Sequence, residues 1–205
     1  MSAILYIETN YFISFATGRD RATNDLLLTV PPAPRRVIPA VCFMEAFVTF
    51  ESIKRESGRF IADLGRQIQE YSRGVVWADR DSRLGPLRQS RVEIDTMFDQ
   101  FRERLLLAVE TLNELGEKIN LTREILRDAV GRSLIKDTTD NLILASILSH
   151  ARSHPSELKA FLTENHKDFE VPEALQALRD AGVKYFRKAE ECRNWLGALA
   201  PPPPS

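Results

Sequence analysis

The chain has 205 residues, 43% hydrophobic and 28% charged, with a formal net charge of −1. This composition suits a globular protein with a sizeable core. It excludes a globally basic nucleic-acid binder, since phosphate attraction would then need a local cluster of Lys and Arg. No apolar run approaches the roughly 20 residues that span a bilayer.

Residues Ala3 to Ile7 form an apolar, β-rich run of the kind found in strands buried on both faces. The opening MSAILYIETNYF lacks the basic region and cleavage site of a signal peptide. Cys42 lies in an apolar run and Cys192 in a charged segment; both read as reduced thiols, giving a cytoplasmic expectation. After Glu8-Thr9-Asn10, helical spacing through Phe12, Ile13 and Phe15 stops at Gly18. A second helix is predicted over 22–28, before the connector VPPAPRR and a very short strand at Val37 and Ile38. From Pro39, residues Val41, Phe43, Met44, Phe47, Val48 and Phe50 predict a helix largely surrounded by protein.

Residues 51–130 are predicted to be helical, as a hairpin-like insertion. Phe60, Ile61, Leu64, Ile68 and Tyr71 share one face; Ile94, Met97, Phe98, Phe101, Leu105, Ala108, Val109, Leu112 and Leu115 share another. Alternation then returns: helix 138–152, strand 160–163, helix 172–181, strand 183–187 and helix 188–197. Strand–helix alternation at both ends of a helical middle predicts an α/β sheet with an insertion. Residues 201–205, PPPPS, predict a disordered or extended tail.

Four segments carry acids worth weighing. In KDTTDNLILASI, Asp137 suits an N-cap and Asp140 the first helical turn, where the dipole favours negative charge. The apolar residues that follow place this helix start inside the protein, where a carboxylate needs compensation. Glu8 ends the first strand, and ligands of open α/β sheets bind beyond strand carboxyl ends. It also reads as an exposed turn residue, with Asn10 as a cap. Glu45 is embedded in the apolar FMEAFV; either an ion pair or a cation would answer its charge. FLTENHKDF offers Asn165 and Asp168 as ligands or supports, or as ordinary turn residues. Taken together, Glu8, Glu45, Asp140 and Asp168 would repel one another in one crevice unless protons or cations intervene. Oxygen donors without a Cys/His set suit Mg²⁺ or Mn²⁺.

These segments resemble, in order, the motifs of the PIN-domain family: YIETNYFI, VIPAVCFMEAF, DTTDNLILASI and FLTENHKDF. The resemblance covers roughly residues 3–50 and 134–187. It implies a three-layer α/β/α parallel sheet forming a single PIN-like domain over 1–200, with the helical insertion at approximately 51–130. It further implies a metal-dependent endoribonuclease using Mg or Mn, with Glu8, Glu45, Asp140 and Asp168 as catalytic acids and Asp137 as an additional metal ligand. Thr9, Asn10, Thr163 and Asn165 would orient ligands or substrate. Glu8 stands where the family usually has Asp, and its extra methylene moves the carboxylate by about 1.5 Å. Asn165 stands where an acid is frequent.

RNA as substrate comes only from the resemblance. Arg19, Arg21, Arg35, Arg36, Lys136 and Lys167 are candidate phosphate contacts. A catalytically weakened RNA- or protein-binding module is the alternative reading, and a toxin paired with an antitoxin is another. A regulatory protein partner or a homodimer through the helical middle are further expectations. His150 and His154, at i and i+4, read as a solvated helix end rather than a metal pair, and no Walker or Rossmann glycine pattern is present.

Overall fold

The run Ala3–Ile7 becomes β1, the central strand of a five-stranded parallel sheet ordered β3-β2-β1-β4-β5. The computed structural model describes residues 3–18, 34–73 and 80–198. The predicted helix 22–28, Arg19, Arg21 and the tail 201–205 lie outside the described residues. After β1 come α1 (Thr9–Thr17), β2 (Arg35–Pro39), α2 (Ala40–Arg73) and α3 (Arg80–Leu115). The chain continues through β3 (Gly116–Ile119), α4 (Arg123–Gly131), α5 (Thr138–Ser153) and β4 (Leu158–Leu162). It finishes with α6 (His166–Phe169), α7 (Pro172–Asp180), β5 (Val183–Phe186) and α8 (Ala189–Ala198).

Four residues each of β1, β2 and β4 are buried in succession, which explains the apolar run of β1 and the apolar residues at 37–39 and 160–162; Arg36 and Lys159 are buried with them. In register, Tyr6 pairs with Val37 on one side and Phe161 on the other. Helices flank both faces, giving an α/β/α layering. Tyr6 faces α5, meeting His150 edge-on, whereas Phe186 packs against Trp195 of α8. One continuous hydrophobic cluster runs from the sheet into α5 and the proximal part of the helical hairpin, where Phe50 and Phe101 pack together. Among the described residues no helix is long and apolar enough to cross a membrane.

Four expectations change. The helical stretch 51–130 is interrupted by β3, an edge strand paired with β2 through Arg36↔Gly116 to Pro39↔Ile119. Its sequence, GEKI, hides the strand because an edge position leaves Glu117 and Lys118 exposed. Gly116 permits the abrupt α3–β3 junction: a Cβ there would lie 2.7 Å from both Ile38 Cδ1 and Leu112 O. The start of α2 is not wrapped in protein, since Met44, Phe47 and Val48 are exposed. Phe60, Tyr71 and Met97 are exposed as well, so the hairpin's outer part packs less completely than its periodicity predicts. β2 and β4 also begin earlier than predicted, at Arg35 and Leu158.

At the amino ends of the strands, charges are paired. Arg35 reaches Glu117 at 2.8 Å and Glu157 at 2.9 Å. His150 is bracketed by the Tyr6 hydroxyl at 2.9 Å and Glu117 at 3.2 Å, and it stacks on His154. His150 is therefore not a solvated helix end. Arg35 and Arg36 are removed from the carboxyl edge and are not phosphate contacts of a site there. Arg36 is buried with its Nε unpartnered, and burial lowers its pKa.

Candidate active site at the carboxyl edge of the sheet

The strand order reverses between β1 and β4, so the loops leaving these two strands diverge and open a crevice. Glu8 leaves β1 and Thr163 leaves β4. The crossover into β4 makes α5 run against the strands, which brings its first turn, with Asp137 and Asp140, to the same edge. Glu45 arrives on the second turn of α2, directly after β2.

Glu8 is 2% exposed, so it is no turn residue on the surface. Its carboxylate, rather than the Asn10 side chain, caps α1 by accepting the Asn10 N–H at 3.0 Å. Its other oxygen accepts the Thr163 hydroxyl at 3.0 Å, and Thr163 Oγ1 accepts the Asn165 N–H at 2.9 Å. Thr9 donates its hydroxyl to Glu45. Asn165 donates its side-chain amide to Asp140 at 3.0 Å. Each of the three inner acids is thus held by a neutral side-chain donor from another segment. Asn10 engages Glu8 through its backbone alone.

Asp137 is exposed and caps α5, accepting from the N–H groups of Thr139 at 2.8 Å and Asp140 at 3.1 Å. Asp168, part-buried on α6, has no hydrogen bond or ion pair among the described residues. The acids share one field. Burial pushes the Glu8 carboxyl up to about 7, its hydrogen bonds from Asn10 and Thr163 oppose that, and Glu45 and Asp140 raise it further. Asp140 is likewise pushed up to about 7, by burial first and then by Glu45, Asp137 and Asp168, with Asn165 opposing. Burial raises Glu45 too, against the Thr9 hydrogen bond and with the charge of Asp137. Among the described residues no Lys or Arg pairs with these inner acids, which is the reverse of the amino end.

Three features escaped the reading of the sequence. Asn141 is buried, accepts the N–H groups of Leu134 and Ile135, and donates to Ala129 O at 2.7 Å. It pins the loop that delivers Asp137. Cys42 lies under Glu8, Thr9 and Glu45, and burial holds its thiol well above the usual range. Glu170, Tyr185 and Arg187 form a cluster beside His166 on the β5 side. Neither the contacts of Asn141 nor those of the β5 cluster leave a periodic signal, because their partners are remote backbone or side-chain atoms.

A family model described as PIN domain matches residues 5–169. The chain belongs to the PIN domain family. No curated protein and no solved structure matches it. PIN domains are generally RNA-binding nucleases that use divalent metals, so the chain is a PIN-type, nuclease-like module. The matched residues include the acids at 8, 45, 137, 140 and 168 and the helical hairpin between β2 and β3; Glu170, Tyr185 and Arg187 lie beyond them.

The donor set of this PIN domain suits a hard cation. Every inner donor is a carboxylate oxygen, and the raised Glu8 and Asp140 carboxyls mark unneutralised negative charge. Among the described residues no three His, Cys, Asp or Glu side chains close around one point. The described residues therefore form no closed four-ligand protein cage of the structural zinc type. Mg²⁺ retains several waters and takes only one or two direct carboxylates.

Proposed function

We propose that this PIN domain is a Mg²⁺- or Mn²⁺-dependent endoribonuclease whose site comprises Glu8, Glu45, Asp137, Asp140 and Asp168. The observation that carries this reading is the gathering of Glu8, Glu45 and Asp140 at the sheet's switch point, where burial first and neighbouring carboxylates second raise all three and no Lys or Arg among the described residues pairs with them. One or two of Glu8, Glu45 and Asp140 would hold the ion directly, with the remaining acids, Asp137 and Asp168 among them, reaching it through water. When bound, a divalent cation would supply Lewis-acid activation of the attacking water and stabilisation of charge on the leaving oxygen.

The protein's own share is positioning. Thr163 and Asn10 fix both oxygens of Glu8, and so offset the freedom of its longer side chain. Asn165 fixes one oxygen of Asp140 and leaves the other available, and Thr9 does the same for Glu45. Asn165 therefore acts as an orienter rather than a ligand, which is the role its amide can fill where an acid is frequent. Below pH 7, Glu8 and Asp140 retain protons in the metal-free protein, so cation binding releases protons and tightens as pH rises.

The test is cleavage of a labelled RNA panel with Mn²⁺ by wild type and by Asp140→Asn. The nuclease reading expects cleavage by wild type only. A second reading, a binding module without turnover, is favoured by the wide spacing of the acids and by Glu8 being hydrogen-bonded on both oxygens. It expects both proteins to bind RNA equally and neither to cut any member of the panel. A toxin role would add a small antitoxin, to be recovered by co-purification from the native host.

A further inference from the structure

The two sides of the crevice differ in chemistry. Toward β2, the first turns of α2 present Met44, Phe47 and Val48 to solvent around Glu45, with exposures of 61%, 41% and 62%. Toward β5, the exposed side chains include Lys167, Arg187 and Lys188, with the acids Glu164 and Glu190 among them, beside the part-exposed His166 and Tyr185. Since β2 and β5 lie on opposite sides of the β1–β4 switch point, these are opposing rims of one opening.

The β5 rim is also braced. Glu170 accepts from Arg187 on one oxygen and from the Tyr185 hydroxyl, at 3.3 Å, on the other. His166 Nδ1 lies 3.4 Å from that hydroxyl. Arg187 nevertheless keeps 61% of its side chain in solvent, so its remaining N–H groups face outward from a fixed base. Tyr185 lies within the electrostatic reach of Glu8, which ties the cluster to the crevice.

We infer that RNA crosses the site in one orientation, with its phosphates along the Arg187 rim and its bases over Phe47 and Met44. The inference rests on the nuclease reading of the crevice between the rims. A guanidinium oriented by a carboxylate donates charge-assisted hydrogen bonds to phosphate oxygens with little ordering cost. An exposed aromatic ring beside a thioether offers a face on which any base can stack. The reverse placement would set phosphates against an apolar surface next to Glu45 and bases against charged groups. Arg187 is thus a positioning residue for the backbone and Phe47 a platform for a base. Lys136, exposed beside Asp137, also lines a depression of about 290 Å³ with Leu126, Val130 and Leu142.

The experiment measures binding of a short unstructured RNA and its abasic counterpart across a salt series, in the non-cleaving Asp140→Asn background. Arg187→Gln should flatten the log–log salt slope by about 0.7, one single-strand phosphate contact, and Arg187→Lys should restore it. Phe47→Ala should leave that slope unchanged, weaken the ordinary RNA roughly tenfold and leave the abasic RNA unaffected. An unchanged slope in Arg187→Gln overturns the assignment, as does equal weakening of both RNAs by Phe47→Ala. A Phe47→Ala protein that binds RNA normally but loses a self-associated form would assign that rim to protein contact and overturn it too. These arms are separable from turnover: the predicted binding differences without cleavage by the parent protein would retain the rims and end the nuclease reading. Cleavage by the parent protein without those differences would end the rims alone.

Discussion

The two ends of the sheet handle charge in opposite ways. At the amino end, Arg35 answers Glu117 and Glu157, and Tyr6, His150 and Glu117 form a closed chain of hydrogen bonds. At the carboxyl end, Glu8, Glu45 and Asp140 receive hydroxyl and amide hydrogen bonds but no countercharge from the described residues, and all three carboxyls are raised. Hydroxyls and amides orient a carboxylate without cancelling it, whereas a guanidinium does both. The amino end is therefore built for stability, and the carboxyl end retains unneutralised charge that a ligand can use.

The largest expected effect breaks that contrast at its centre. Asp140→Asn removes a cation-facing oxygen and should lower RNA cleavage by about 100-fold or more, measured as initial rate in Mn²⁺. The next concerns stability. Between the ordinary carboxylate range and about 7, the folded chain keeps a proton on Glu8 that the unfolded chain has released. Metal-free stability should therefore fall as pH rises through that window and level off above it. Glu8→Gln should abolish much of this fall: the variant should match wild type near pH 4 and exceed it at pH 8 by on the order of 2–3 kcal/mol in denaturant melts. The Thr163 hydroxyl can turn to accept from the new amide, so the hydrogen bond need not be lost.

Asn165→Ala should reduce cleavage roughly 10- to 100-fold with folding intact, because it frees Asp140 without removing it. The smallest effect lies at the other end. Arg35→Gln should leave cleavage unchanged and cost about 1 kcal/mol or less, since the pairs it breaks are partly in water. An Arg35→Gln protein with impaired cleavage would blur the contrast between the two ends.

Much of the sheet was legible because β1 is apolar throughout and β2 and β4 end in apolar residues, although Arg35, Arg36 and Lys159 hid where β2 and β4 begin, and helix α5 was legible because its cap and apolar run adjoin. β3 was not: four residues with two exposed charges continue the pattern of α3 without a break, and only pairing with β2 makes them a strand. The exposure of Met44, Phe47 and Val48 was equally hidden, since apolar composition cannot distinguish a buried helix from one facing an open crevice. For the acids, the sequence supplied chemistry and order but not their supports. The Thr163–Glu8 and Asn165–Asp140 hydrogen bonds join residues far apart in the chain, and nothing local encodes them. Arg35 and Arg36 misled for a related reason: their charge is evident in sequence, but the end of the strand on which they stand follows only from the boundaries of β2.

The most direct test of a cation-holding acidic edge is the melting temperature as a function of Mn²⁺ at pH 7.5, for wild type and Asp140→Asn. Ligand binding to the folded state alone should raise wild-type stability by about 2.7 kcal/mol at one hundred times the dissociation constant. The account predicts a saturable upward shift in wild type that is absent or much weaker in Asp140→Asn. Equal shifts in the two proteins, or none in wild type, would contradict it.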